Sequence, residues 1–476
     1  MKALATTDGA YLGGHVTGRG KTLIATEVAL RSWAGRVLIV APPGTYGELD
    51  NENGIYDGWL GTVYRQTEGA ATLQKCSNSK KSEKESLAAL MAGDAGWFFL
   101  SREMFQQLDW ELTPELDKNK QPVIVEATGK PKKKAHQLKA WRKHPFDVAI
   151  YDEIQFCANK KSRSFKTWRD LKATMKVGLS ADWFGAQLTG MWAVGYSLFP
   201  TLVTPNFVAW CDQYLTSEYD HFAFNKKKYT SEKVPGQFVA DLGAYGRLES
   251  TLGLPPVPEN RWVDLLPAQR RMYDEAVRDM LIWVEENPLT IEMPLTLRQR
   301  LKEVSLCEFS MEGEDVDFKV GGKSSKADEV KELFASKPDE KFVVFTASKK
   351  FAKNLTARFK NAASYTGDDS EKVRAQMKHD FVHSDLKYLV CTIQAAGVGL
   401  DGLQVSCNNV IIASEVEGMD YLTEQAIGRV WRQGQTEPVS VYRVLARDTY
   451  DAGILDKQIV QGLQNNAAKR VAEMGG

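Results

Sequence analysis

Long apolar runs are missing from this chain. No stretch approaches the roughly 20 residues that a membrane-spanning helix needs. The opening MKALATTDGAYLGG also lacks the apolar centre of a secretory signal. Cysteine is scarce and scattered, with six residues (Cys76, Cys157, Cys211, Cys307, Cys391 and Cys407) and no CxxC pair. That pattern argues against a disulfide framework or a structural zinc site, and for small buried side chains in a reducing cytoplasm. Net charge is absent too: Lys plus Arg and Asp plus Glu are 61 each, so any surface for a polyanion must be local. No wholly polar tract, named repeat, nucleophile elbow or cysteine–histidine arrangement stands out.

What remains is an alternation. A chain of 476 residues exceeds what one hydrophobic core organises, so two domains are expected. Short β-branched runs alternate with longer helical patterns, the signature of parallel sheets with crossover helices. The first half offers RVLIVAPP (36–43), WFFLS (97–101), DVAIYDE (147–153) and KVGLSA (176–181). The second offers KFVVFTAS (341–348), KYLVCTI (387–393), NVIIASE (409–415) and VSVYRVLA (439–446). All are apolar at odd and even positions, as strands covered on both faces should be. Between the sets, from about 200 to 325, aromatic and helical stretches show no strand alternation, and GLPPVPEN (253–260) reads as a rigid connector.

GAYLGGHVTGRGKTLIATEVAL (9–30) runs from strand-like residues through a glycine turn into a helix. Gly18 and Gly20 let the backbone N–H groups point inward, and the helix start adds its positive dipole end, a cradle for phosphate. Lys21 then reaches the β and γ phosphates and Thr22 offers a hydroxyl to Mg2+. The competing reading is a glycine turn with a solvated lysine. The partner of such a site is an acid at the tip of a neighbouring strand. DVAIYDEIQ supplies it: Asp152 for magnesium, and Glu153 to orient or deprotonate an attacking water.

QAIGRVWRQGQ (425–435) places Arg429 and Arg432 three apart near a helix end, with Gln425 four residues before Arg429. Arginines delivered from a second lobe to a γ-phosphate would make ATP a clamp between lobes; a surface helix is the plain alternative. KPKKKAHQLKAWRKH (130–144), with seven basic residues and no acid, and NKKKY (225–229) are candidate DNA grips, with Trp141 touching the strand, or solvated loops. His379 and His383 sit four apart without a third ligand and read as a surface pair. MEGEDVDF (311–318) reads as a solvated hairpin.

These stretches resemble the motifs of the Swi/Snf-like branch of superfamily-two helicases, ATP-driven translocases on double-stranded DNA. The resemblance covers nearly the whole chain. HVTGRGKT is similar to motif I, VLIVAPP to Ia, DEIQ to II, GLSADW to III, FVVFTAS to IV, TIQAAGVGLDGL to V and QAIGRVWRQGQ to VI. WAVGYSLFP (192–200), LPPVPENRWVDLLPAQRRMYDEAV (254–277), LTLRQRLKE (295–303) and TYDAGILDKQ (449–458) also look like that branch. The resemblance implies two tandem RecA-like P-loop lobes, each a mainly parallel α/β sheet covered by helices, with helical insertions near the junction. The first spans 1–262 with a basic insertion (103–146) and a helical protrusion (about 190–250). The second spans 263–476 with a protrusion (265–325) and a C-terminal brace helix (451–472).

It implies an ATP site of Gly18, Arg19, Gly20, Lys21, Thr22, Gln155, Gly399, Asp401 and Gln425, with Mg2+ on Thr22 and Asp152. Catalysis falls to Lys21, Asp152, Glu153, Arg429 and Arg432. It further implies sequence-blind contacts to the DNA backbone from Pro42, Pro43, Ser101, Arg102, Thr346, Ser348, Lys349, Gly367 and Thr392. The partner is double-stranded or forked DNA, with no membrane. Departures are visible. No glutamine precedes the P-loop to read adenine, Gln155 stands where the branch has histidine, and Asp182 and Trp183 replace threonine and proline in motif III. No reader segment flanks the motor, as in bacterial and phage members. The alternatives are a strand-separating helicase on single-stranded tails, forks or RNA, and a non-catalytic ATP-gated DNA clamp.

Overall fold

The computed structural model describes residues 9–14, 20–50, 55–115, 124–125, 130–131, 133–180, 183, 188–220, 226–243, 245–246, 256–286, 295–312, 315–318, 322–396, 400, 402–416, 420–432 and 434–452. The chain divides into two compact units, with the change between 249 and 250.

The first unit is built on a seven-stranded, wholly parallel sheet. Its strands are β1 (Ala10–Gly13), β2 (Arg36–Ala41), β3 (Leu73–Cys76), β4 (Gly96–Ser101), β5 (Phe146–Asp152), β6 (Ala173–Leu179) and β7 (Tyr245–Gly246). Across the sheet they run β7-β1-β6-β5-β2-β4-β3. Side chains alternate across a strand, and β2 shows why its sequence is apolar throughout. Leu38 and Val40 enter one core with Tyr151 and Trp168, while Val37 and Ile39 enter the other with Trp59 and Val148. Helix α1 (Lys21–Arg31) follows β1, and α2 (Gly58–Gln66) leads toward β3.

The second unit repeats the plan with six parallel strands: β8 (Glu259–Val263), β9 (Phe342–Thr346), β10 (Ala362–Tyr365), β11 (Tyr388–Thr392), β12 (Asn409–Ile412) and β13 (Ser440–Ala446). Their order is β8-β13-β12-β9-β11-β10. Phe342 and Val344 face one core, Val343 and Phe345 the other. Helix α3 (Ser325–Ser336) opens with the Ser324 hydroxyl accepting from the Ala327 N–H. Helix α4 (Asp420–Ile427) leads to the arginine pair.

Two expectations need correction. The boundary at 262/263 would cut β8, which pairs along its length with β13 and so belongs to the second unit. The 200–325 region is not free of strands. Leu215–Tyr219 pairs antiparallel with Lys227–Glu232, and Phe309–Glu312 with Asp315–Phe318. The first of these hairpins is polar on both faces (LTSEY, KKYTSE), so no alternation betrays it. The second is the hairpin that MEGEDVDF suggests. Of the brace helix expected over 451–472, residues 453 onward lie outside the described residues. Among the described residues no helix is long and apolar enough to cross a membrane, and all six cysteines are buried and free.

Candidate functional site

Sheet register brings Lys21 and the acidic pair to one end of the first unit. Gly13 at the end of β1 and Asp152 at the end of β5 both pair with Leu179 of β6, one from each side. The tip of β1 thus lies two strand spacings, about 10 Å, from Asp152, and α1 starts just beyond. Gly20 caps that helix with φ 65, a left-handed turn that glycine adopts without strain. Lys21 and Thr22 follow in the first turn, both half-buried. Gly18 and Arg19 lie outside the described residues.

Asp152 is buried, and each of its carboxylate oxygens is engaged. Oδ2 accepts the indole N–H of Trp59 at 3.1 Å, and Oδ1 accepts the Glu153 backbone N–H at 3.1 Å. Burial, then the neighbouring Glu153 charge, push its carboxyl up to about 6; Lys21 and the two hydrogen bonds pull the other way. The Lys21 ammonium is therefore near enough to act on Asp152. A carboxylate whose negative form is resisted by its surroundings gains most from a cation, and hydroxyl plus carboxylate suits Mg2+, which keeps most of its shell as water and phosphate oxygen. Thr22 and Asp152 fit that ion.

Glu153 has φ 59 and ψ 55, left-handed for a residue with a side chain. Such strain concentrates at working sites. Its Oε2 accepts from Gln155 Nε2 at 2.6 Å, and Gln155 is itself buried, its Oε1 lacking a hydrogen-bond partner among the described residues. Lys21, Asp152, Glu153 and Gln155 thus lie together, with Thr22 next to Lys21 in the first turn of α1.

Trp59 was not legible as a site residue. Its indole, 1% exposed, reaches Asp152 from a position 93 residues away in sequence, and no local spacing announces that pairing.

In the second unit α4 ends at Ile427, and the chain continues in a tight turn in which Arg429 N–H reaches the Ala426 carbonyl. Arg429 and Gln425 are buried, while Arg432 is half-exposed. The QGQ tail is anchored by Gln435, whose Nε2 donates to the Cys407 carbonyl at 2.8 Å. Gly399 and Asp401 lie outside the described residues.

The residues matched to DNA contacts divide by exposure. Pro43, Arg102, Lys349 and Gly367 are at least partly exposed, whereas Pro42, Thr346 and Thr392 are buried. Thr346 Oγ1 bonds Ser414 Oγ at 2.8 Å, so its side chain braces the strand end rather than facing solvent. Ser101 and Ser348 hydroxyls cap the helices that follow them, accepting from Met104 and Phe351 N–H groups. Lys349 pairs with Asp368 at 2.6 Å, beside Gly367.

Of the basic clusters, Lys133–Gln137 forms a strand against Trp110–Pro114. Trp141 is a core residue, not an exposed stacking surface. It is 4% exposed, stacked on Phe105 at 5.1 Å, and donates to the Phe105 carbonyl. In the second cluster Lys227 pairs with Asp212 at 2.7 Å. Trp183 of motif III is buried against Phe238, and Asp182 lies outside the described residues. Among the described residues no cluster of His, Cys, Asp and Glu forms a metal site, His379 and His383 included.

Residues 325–434 match the helicase conserved C-terminal domain, a span that runs from α3 through the arginine pair. An ATP-dependent helicase of Schizosaccharomyces pombe is 29% identical over 134 residues, 27% of this chain and 13% of that protein. The Arabidopsis thaliana protein Chromatin Remodeling 20 is 30% identical over 95 residues, 20% of this chain and 6% of that protein. Residues 325–434 thus carry a helicase C-terminal domain, and the relatives matched are helicases and a chromatin-remodelling protein. The chain matches only a small part of the length of those curated relatives. Among solved structures, the SWI2/SNF2 ATPase core of Sulfolobus solfataricus in complex with double-stranded DNA is 15% identical. That alignment covers 99% of this chain and 92% of the other, with a TM-score of 0.36.

Proposed function

We propose that this protein is an ATP-dependent DNA translocase of the Swi/Snf type. It hydrolyses ATP and uses the cycle to move along duplex DNA and remodel DNA or protein–DNA complexes. The observation that carries the reading is the meeting of Lys21, Asp152 and Glu153 at the carboxyl ends of parallel strands. A lysine for phosphate, a buried acid for magnesium and a strained glutamate beside it are the parts that phosphoryl transfer to water requires. Lys21 holds the β and γ phosphates, Thr22 and Asp152 hold Mg2+, and Glu153 orients the water. Gln155 fixes the Glu153 carboxylate through its 2.6 Å hydrogen bond. Arg429 and Arg432, in the helicase C-terminal domain, supply positive charge to the γ-phosphate as it leaves.

DNA is held through its phosphates, from the turn after β2, from Arg102 and from Lys349. Such contacts carry no sequence preference and weaken with salt. The test is ATP turnover measured with double-stranded DNA, single-stranded DNA, forked DNA and RNA at several salt concentrations. Duplex or forked DNA gives the largest stimulation, falling steeply as salt rises. Displacement of a triplex strand, with no unwinding of a tailed duplex, separates translocation from strand separation. Turnover that ignores every nucleic acid overturns the reading.

A further inference from the structure

Beyond the nucleotide groups themselves, the first unit holds a connection from its outer turn to its acidic centre. After β2 the chain makes a short 3-10 turn (Pro43–Thr45), closed by the Thr45 N–H and the Thr45 hydroxyl, which both reach the Pro42 carbonyl, the latter at 2.7 Å. It returns at α2 and packs directly on that turn. Leu60 N–H donates to the Tyr46 carbonyl at 2.8 Å, and Asp57 N–H to the Glu48 carbonyl at 2.9 Å. The approach is so close that only glycine fits. A Cβ on Gly47 would lie 2.0 Å from the Asp57 carbonyl oxygen. One on Gly58 would lie 2.6 Å from the Thr45 carbonyl oxygen. Turn and helix start are in close backbone contact at both points, with no side chain between them to absorb a shift. The second residue of that helix is Trp59, and its N–H holds Asp152 Oδ2.

We propose that Trp59 is a positioning residue through which DNA bound at the turn after β2 sets the Asp152 carboxylate, and so sets how strongly DNA stimulates ATP turnover. The proposal rests on the function given above, and on the turn at the exposed Pro43 meeting the DNA backbone. Displacement of the turn moves the first turn of α2 as one body. The indole then carries that movement to one oxygen of the acid. Only the direction in which Asp152 presents its other lone pairs changes; no group is gained or lost.

The experiment uses the full chain with Trp59→Phe, which keeps an aromatic ring in the core and removes only the N–H donor. Four quantities are read: basal turnover, duplex-stimulated turnover, DNA affinity by anisotropy and affinity for a fluorescent ATP analogue. A lost hydrogen bond to a charged group corresponds to roughly a tenfold effect. The expected result is a ratio of stimulated to basal turnover reduced about tenfold, with both affinities within about twofold of the parent. A Trp59 that merely fills the core lowers both rates together and leaves the ratio intact. That outcome overturns the proposal. Thr45→Val removes the hydroxyl brace at the other end of the connection and lowers the same ratio, with affinity for the ATP analogue within about twofold of the parent. It decides the matter if Trp59→Phe does not fold. If the parent protein shows no stimulation by DNA, the proposed function fails; if the parent is stimulated and both variants keep its ratio, only this connection fails.

Discussion

Asp152 carries its charge where burial and Glu153 both oppose it, and that conflict has a measurable sign. The folded carboxyl titrates near 6, above the ordinary value of 3.8 from which it is raised. The folded state therefore binds more protons than the unfolded state between those values, and stability falls as pH rises through that window. In metal-free protein, Asp152→Asn is expected to abolish turnover and to raise the thermal midpoint at pH 7. The gain should vanish near pH 4, as differential scanning fluorimetry in a chelator will show. A lower midpoint at pH 7 contradicts the assignment of Asp152 as a strained acid. If the proposed roles hold, Lys21→Ala and Arg432→Ala are expected to lower DNA-stimulated phosphate release by about a thousandfold or more, the scale of losing a catalytic positive charge in phosphoryl transfer. Duplex affinity measured without nucleotide should stay near that of the parent. At this scale the sequence was most readable where chemistry fixes spacing: GKT and DE announce themselves because phosphate and metal demand adjacent residues. Trp59 does not, since its bond to Asp152 depends on how two distant segments pack.

Elements tell a similar story with a different cause of failure. Every strand expected from an apolar run is present, because burial on both faces leaves an unbroken trace in sequence. Short edge strands such as β8 and β10, and the polar hairpin at 215–232, leave none. Trp141 shows the same limit: surrounded by seven basic residues, it reads as an exposed aromatic, yet the turn Ala140–Arg142 folds it under Phe105. Trp141→Ala is expected to cost about 3–5 kcal/mol of unfolding free energy in a denaturant titration. Its effect on DNA affinity, corrected for the folded fraction, should be small. A large loss of affinity in fully folded protein would restore the stacking role. Helix α1 is also anchored by its surroundings more than by its caps, since Ala25 and Ala29 are fully buried against the sheet while no side chain caps its start.

On the scale of the whole molecule, the second unit is tied together by a buried cation. Lys326, near the start of α3, is fully buried; its ammonium meets Asp451 at 2.7 Å and donates to the Ala413 carbonyl at 2.8 Å. Asp451 in turn accepts the Ala446 N–H at 3.0 Å, so the ends of β12 and β13, the start of α3 and the segment after the last strand share one node. Asp451→Ala leaves an uncompensated ammonium in the core and is expected to cost about 3–5 kcal/mol, whereas Lys326→Met with Asp451→Leu recovers most of it. Chemical denaturation of the two variants and their parent checks this, and equal losses in both would show that the pair is not coupled.

The pairing of β8 with β13 has a consequence for how the protein is made. β13 is the neighbour of both β8 and β12, so the first strand of this sheet has no partner until the last has left the ribosome. During that interval a nascent chain displays an open β edge, the kind of surface that invites wrong associations when closure is slow. Premature termination anywhere before Ser440 strands that edge permanently. Truncated products are therefore expected to aggregate or be cleared by quality control.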